Sequence, residues 1–283
     1  EKEWRMRKTS VCERIAKEDN DRGADMKSMM KRTTLREIKQ SLGRYLAIMA
    51  IVALGVGFFA GLKVTTSAMI ETGDDFLAEH KMFDFRLLST MGFKEEDVLQ
   101  IGEKLGVSNI TGSITMDFIY RNEEGTEGVL NVHSLTEDIN TLRLVEGRMP
   151  EKPGECVVDS NMQSVKIGDT LYVSENNEDD TKDFFSCDAY EVVGKADSPL
   201  YLNFERGATS LLSGSVEGFV YLSPEGFDSE YYTEIFLRFD HDLKAYSQEY
   251  EDFIDSKTDE VEKLCEDQSK FRYDAIVADA KEE

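Results

Sequence analysis

The residues of this chain that could do chemistry are three histidines, four cysteines and a large surplus of carboxylates. Their spacing assembles no catalytic or metal-binding set. His80, His133 and His241 are scattered, and none has a second His or a Cys at metal-ligand spacing. The run Glu175–Asp183 (ENNEDDTKD) is rich in oxygen ligands but lacks the glycine and closing glutamate of a calcium loop, so it reads as a solvated acidic loop. His241, between Asp240 and Asp242 at a strand end, reads as a surface histidine. There is no G-x-S-x-G nucleophile turn and no Walker A loop. Acidic pairs are too frequent for two to stand out as a glycosidase pair. Of Cys12, Cys156, Cys187 and Cys265, the pair Cys156 and Cys187, both in strand-like segments, is the candidate disulfide. These residues predict a non-catalytic chain with no metal and no cofactor of its own.

The elements around them predict a membrane-tethered domain. Tyr45–Leu62 (YLAIMAIVALGVGFFAGL) is uncharged throughout. As a helix it is about 27 Å long, close to the apolar thickness of a bilayer. A cleaved signal peptide would have a shorter apolar region, and Thr66-Ser67-Ala68 is a weak cleavage site. Lys31, Arg32, Arg36, Lys39 and Arg44 precede the run, whereas Glu71, Asp74, Asp75 and Glu79 follow it. Basic flanks stay in the cytoplasm, so the N-terminus is expected inside and the main domain outside the plasma membrane. Residues 1–44 hold 13 Lys and Arg against 8 Asp and Glu, and the rest holds 20 against 49. So acidic an external surface excludes nucleic acid as a partner and suits cations, basic peptides or another protein.

Leu35, Ile38 and Leu42 share one face of a basic segment, which predicts a short amphipathic helix on the inner membrane surface. Ala53, Gly57 and Gly61 recur every four residues, a stripe that lets a second membrane helix approach. Residues 1–29 show no period and read as an extension, with Met30 a plausible natural start. The expected order is a basic helix over 30–44, a span over 45–62, a stalk over 63–82, an α+β domain over 83–241 and a long stalk or coiled-coil helix from 242 to 283. Within the domain, Phe83–Leu88 reads as a strand and Lys94–Leu105 as a helix. Strand-like runs follow at Ile110–Tyr120, Val129–Ser134, Glu155–Asp159, Thr170–Val173, Tyr190–Val193, Gly218–Leu222 and Glu234–Phe239. Leu243, Tyr250, Leu264 and Phe271 fall on a seven-residue spacing, which predicts the coiled coil.

From Met30 the segment MKRTTLREIKQSLGRYLAIMAIVALGVGFFAGL resembles the first membrane helix of FtsX-like and MacB-like ABC transporter permeases, closest to the type found in Gram-positive bacteria. DFRLLST (84–90), LRLVEGRMPEKPGECVVD (142–159), KIGDTLYV (166–173), YEVVGKADSPLYLNFERG (190–207) and GFVYLSPEGF (218–227) are similar, in the same order, to their external core domain. The G-R-x-P turn of that pattern is carried by Gly147, Arg148 and Pro150, the I-G-D turn by Ile167, Gly168 and Asp169, and the V-V-G strand end by Val192, Val193 and Gly194. The resemblance implies further membrane helices or a second permease copy, and a separate ATPase subunit. It implies that ATP-driven motion reaches the external domain along stalk helices, to export or extract a peptide, lipoprotein or other amphiphile, or to regulate a cell-wall hydrolase. The cytoplasmic coupling helix that meets the ATPase is expected outside this sequence. Two other readings stay open: a single-span receptor with an external sensor, and a membrane-anchored coiled-coil surface protein. A tethered hydrolase ranks below both for want of a nucleophile.

Overall fold

The computed structural model describes residues 29–37, 39 and 41–282. Ile38, Cys12 and the expected extension before Met29 lie outside the described residues. The chain divides into two units, residues 1–69 and 70–283.

In the first unit, residues 29–37 are helical and exposed, and Lys31, Arg32, Arg36, Lys39 and Arg44 all face solvent. Helix α1, Leu42–Glu79, carries the uncharged run and is long and apolar enough to cross a membrane. None of its most apolar window is buried within the chain. A Cβ added at Gly57 or Gly61 would meet nothing within 4 Å. Past the run, Thr65, Thr66 and Ser67 turn their hydroxyls back to the carbonyls four residues earlier, so these polar side chains need no outside partner within the helix.

The second unit holds two sheets. The smaller is antiparallel with order β1 (Phe85–Phe93), β10 (Tyr232–Arg238), β2 (Asn109–Ser113). Helix α2 (Glu95–Leu105) packs Val98, Ile101 and Leu105 against it. Asp97 accepts a hydrogen bond from the Lys94 N–H at its start, and Gly106 takes the left-handed conformation (φ 65°) at its end.

The larger sheet runs β5 (Arg143–Gly147), β8 (Ala189–Asp197), β6 (Glu155–Asp159), β9 (Gly218–Leu222), β4 (Glu127–Ser134), β3 (Thr115–Arg121), β7 (Thr170–Val173). Because β7 also pairs with β8, six of these strands close into a barrel, with β5 continuing the edge of β8 beyond β7. Phe118, Tyr120, Leu130, Val132, Cys156, Val158, Leu171, Tyr190, Val192, Val220 and Leu222 fill it. A short helix, α3 (Asp179–Asp183), lies between β7 and β8.

Four expectations change. The single strand predicted over Ile110–Tyr120 is two strands in different sheets, β2 and β3. The chain breaks at buried Ile114, whose N–H is taken by the Ser134 hydroxyl, while the next N–H, of Thr115, goes to Thr233. The Cys156–Cys187 disulfide is not made: both are free thiols. Cys156 is enclosed in the barrel, where burial, with Glu191 adding, pushes its thiol above the ordinary range. The last helix, α4, starts at Gln248, not Asp242, and runs to Glu282. Its apolar repeat is used within the chain: Leu264 and Phe253 pack on the small sheet and Val261 is buried there. Leu243 precedes the helix, and the side chain of Phe271 is not described. The stretch 175–183 is only partly a solvated loop. Asn177 is buried and bonds both the N–H and the carbonyl of Ile119, acting as a strand partner for β3.

Candidate functional site

Two legs of the second unit, the end of α1 and the stretch leading into α4, line one cavity, and each is fastened there by hydrogen bonds. The first fastening is a strap on the end of α1. Lys81 breaks the helix with φ 49°. The carbonyls of His80 and Lys81 then accept the N–H groups of Thr141 and Asn140, both at 3.0 Å. Asn140, itself at φ 54°, accepts the Phe83 N–H on its side-chain oxygen at 3.0 Å. Asn tolerates that left-handed backbone better than most residues, which is why it suits the position. Phe76 stacks on His80 at 4.6 Å, and the Arg143 guanidinium lies 5.3 Å from the Phe76 ring centre. The strap therefore leads directly into β5, which begins at Arg143.

The second fastening is a clasp around Asp84, whose side chain is 2% exposed. Its carboxylate accepts the Phe239 N–H at 2.7 Å and the Tyr250 hydroxyl at 2.8 Å, and lies 3.1 Å from His241 Nε2. His241 is thus not a surface histidine; it is packed between Tyr250 and Phe253 and faces Asp84. Burial first, then Asp84, raises the Tyr250 hydroxyl above its ordinary range, so it stays protonated and donates. Nearby, buried Asp74 accepts the Tyr246 N–H at 2.9 Å. A cavity of about 270 Å³, lined by Leu77, Met82, Phe83, Leu243, Tyr246 and Tyr250 among others, lies between the two legs.

The three motif turns named from the sequence meet on strand β8. Gly147 opposes Gly194 in the β5–β8 ladder. A Cβ on Gly147 (φ 81°) would sit 2.3 Å from the Val193 carbonyl, and one on Gly194 would sit 2.4 Å from the Arg148 carbonyl. Only glycine allows this approach. The Gly168 N–H (φ 94°) donates to Val192, and Asp169 accepts the Lys166 N–H at 2.8 Å, holding the I-G-D turn against the same strand. Arg148 forks onto Glu155 at 2.6 and 2.7 Å, and Glu155 also takes the N–H of Glu151, next to Pro150. That fork, with the Glu151 N–H, draws the Glu155 carboxyl down to about 2. The basic flank and the stripe Ala53, Gly57 and Gly61 belong to the first unit and are not part of this cluster.

Sequence reasoning missed Asp84, Asn140 and Tyr250. Their partners lie 57 to 166 residues away, so no local pattern marks them. Among the described residues no group of three or more His, Cys, Asp or Glu could hold a metal ion.

No family model and no curated protein matches the chain. Among solved structures it is similar to the extracellular domain of the noncanonic ABC-type transporter YknZ from Gram-positive bacteria, at 14% identity and TM-score 0.39, over 64% of this chain and 87% of that one. It is similar to the periplasmic region of MacB from Actinobacillus actinomycetemcomitans, at 12% and 0.35, over 59% and 72%. A permease-protein domain from Porphyromonas gingivalis is similar at 12% and 0.35, over 59% and 77%.

Proposed function

We propose that the chain is the N-terminal part of the membrane subunit of an FtsX- or MacB-like ABC transporter, working with an ATPase on a separate chain. In this reading residues 30–44 lie on the cytoplasmic surface, 45–62 span the plasma membrane, 63–82 form a stalk and the second unit is extracytoplasmic. Ala53, Gly57 and Gly61 face another membrane helix, from the same protein or a second copy. ATP-driven movement of the span enters the external domain at the strap and clasp, for export or extraction of a peptide, lipoprotein or other amphiphile. The acidic surface favours a cationic one.

The observation that carries the reading is the continuity of α1. One helix holds the uncharged run and ends in the strap at His80 and Lys81, which leads into the strand bearing the G-R-x-P turn. The test is purification of the full-length protein from native membranes. Co-purification of a Walker A subunit whose ATP hydrolysis depends on this chain is the expected result. A full-length protein that carries one span and a cytoplasmic kinase-like module, or that purifies without any ATPase, contradicts the proposal.

A further inference from the structure

The cavity between the end of α1 and the stretch leading into α4 is apolar over most of its wall, yet two opposite charges face it without meeting. The cation is half-buried Arg238, at the end of β10. Elsewhere in the second unit Arg86, Arg143, Arg148, Arg206 and Arg272 each hold a carboxylate, and Arg121 lies on the Tyr172 ring. Among the described residues Arg238 has neither, in a chain with 57 Asp and Glu, so a shortage of acids is not the reason.

The anion is Asp74, buried near the end of α1. Its Oδ1 accepts the Tyr246 N–H at 2.9 Å, and its other oxygen makes no hydrogen bond among the described residues. Asp84 also lines the cavity, but its carboxylate is filled by the Phe239 N–H, the Tyr250 hydroxyl and His241. The Leu243 N–H donates to His241 Nδ1 at 3.2 Å, so the ring carries its proton on Nε2 and donates it to Asp84.

Opposite charges beside one apolar space attract strongly and would ordinarily close on each other. Here the backbone holds each in place. Asp74 is fixed by its helix and by Tyr246, and Arg238 leaves a strand registered against Asn109 of β2. A charge sheltered from water without a partner is costly, so a molecule that brings both counter-charges gains at both ends. Between them, buried Leu77 and half-buried Met82 and Phe83 line the cavity, and exposed Leu202, Leu243 and Tyr246 stand at its rim. Its volume of about 270 Å³ equals about nine waters at the liquid's roughly 30 Å³ each, close to the heavy-atom count of leucine.

We propose that this cavity binds a free α-amino acid with an apolar side chain. The carboxylate sits on the Arg238 guanidinium, the ammonium on Asp74, and the side chain against Leu77, Met82 and Phe83. The planar guanidinium fork matches a carboxylate, and a compact ammonium suits a single free carboxylate oxygen. A fatty acid brings nothing for Asp74, and an apolar amine nothing for Arg238. A zwitterion also has no net charge for the acidic surface to repel. The site does not depend on the transporter reading, because the cavity and both charges belong to the second unit.

The test is calorimetric titration of the full chain in detergent with L-leucine, L-methionine and L-phenylalanine. At least one should bind with a Kd below about 1 mM. The deaminated and the decarboxylated forms of the tightest binder (4-methylpentanoate and 3-methylbutylamine for leucine), and glycine, should each bind at least about tenfold more weakly. Arg238→Gln and Asp74→Asn should each weaken the amino acid at least about tenfold, the second while keeping an acceptor for the Tyr246 N–H. Ala78→Trp, which fills the cavity without removing a polar group, should abolish binding. A Kd above about 1 mM for all three amino acids overturns the proposal. So does equal binding of the deaminated or decarboxylated form, or binding that the substitutions leave unchanged. Should a variant not fold, the analogue series on the unmodified protein decides.

Discussion

The barrel and the small sheet share one unit but are built from the chain in opposite ways. The barrel strands run from Thr115 to Leu222, one contiguous stretch. The small sheet takes its strands from both sides of that stretch, 85–113 and 232–238, and is covered by α2 and α4. The barrel is therefore an insertion into the small sheet, held at β2–β3 and β9–β10. The difference separates two kinds of stability. The barrel has a closed hydrogen-bond ladder, and β5 is fastened to its strand β8 by glycine-only contacts. The small sheet depends on side chains from distant sequence, above all Asp84 and Val261.

That comparison can be broken or sharpened by mutation, from the largest expected effect to the smallest. Gly194→Val should force β5 and the turn after it off β8, a loss of more than about 4 kcal/mol, because the backbone oxygens of Glu146 and Arg148 occupy the place of the new side chain. Circular dichroism should show lost strand content, and a variant with unchanged thermal midpoint would break the glycine-contact argument. Val261→Ala should cost about 2 kcal/mol through the cavity left under α4, measurable as a lower denaturation midpoint. The neighbouring exposed Glu262→Ala should change it by less than about 0.5 kcal/mol. Glu155→Gln should have a small effect that is present at neutral pH and closes in acid. The Glu155 carboxyl is depressed, so its contribution is present above the ordinary carboxylate value and fades as pH falls towards about 2. Acid titration of the unmodified protein should show that loss, and the variant should lack it.

Much of the fold is legible in the sequence because its determinants are local. Strands β6, β7 and β9 are uniform short apolar runs bounded by turn residues, and α2 carries its apolar face at helical spacing. The motif turns are legible as glycines flanked by strand residues, although only the structure shows Gly147 opposite Gly194. Other features depend on distant partners. The break at Ile114 rests on Ser134 and Thr233, and Asn177 finds its place because β7 pairs only as far as Tyr120 and leaves the Ile119 N–H to a side chain. β5 has no buried residue, so no alternation announced it. The seven-residue spacing in α4 does not by itself tell a face that packs on a sheet in the same chain, as Leu264 does, from one that pairs with a second helix.

The most direct test of the two-part account is hydrogen exchange, strand by strand, on the full chain carrying Asp84→Ala. Removing this carboxylate leaves the Phe239 N–H and the Tyr250 hydroxyl unpartnered in the interior, at a cost of about 3 kcal/mol. The account predicts lost protection in β1, β10 and α4, with β4, β6 and β9 unchanged. Uniform loss across both sheets, or none in either, would contradict it.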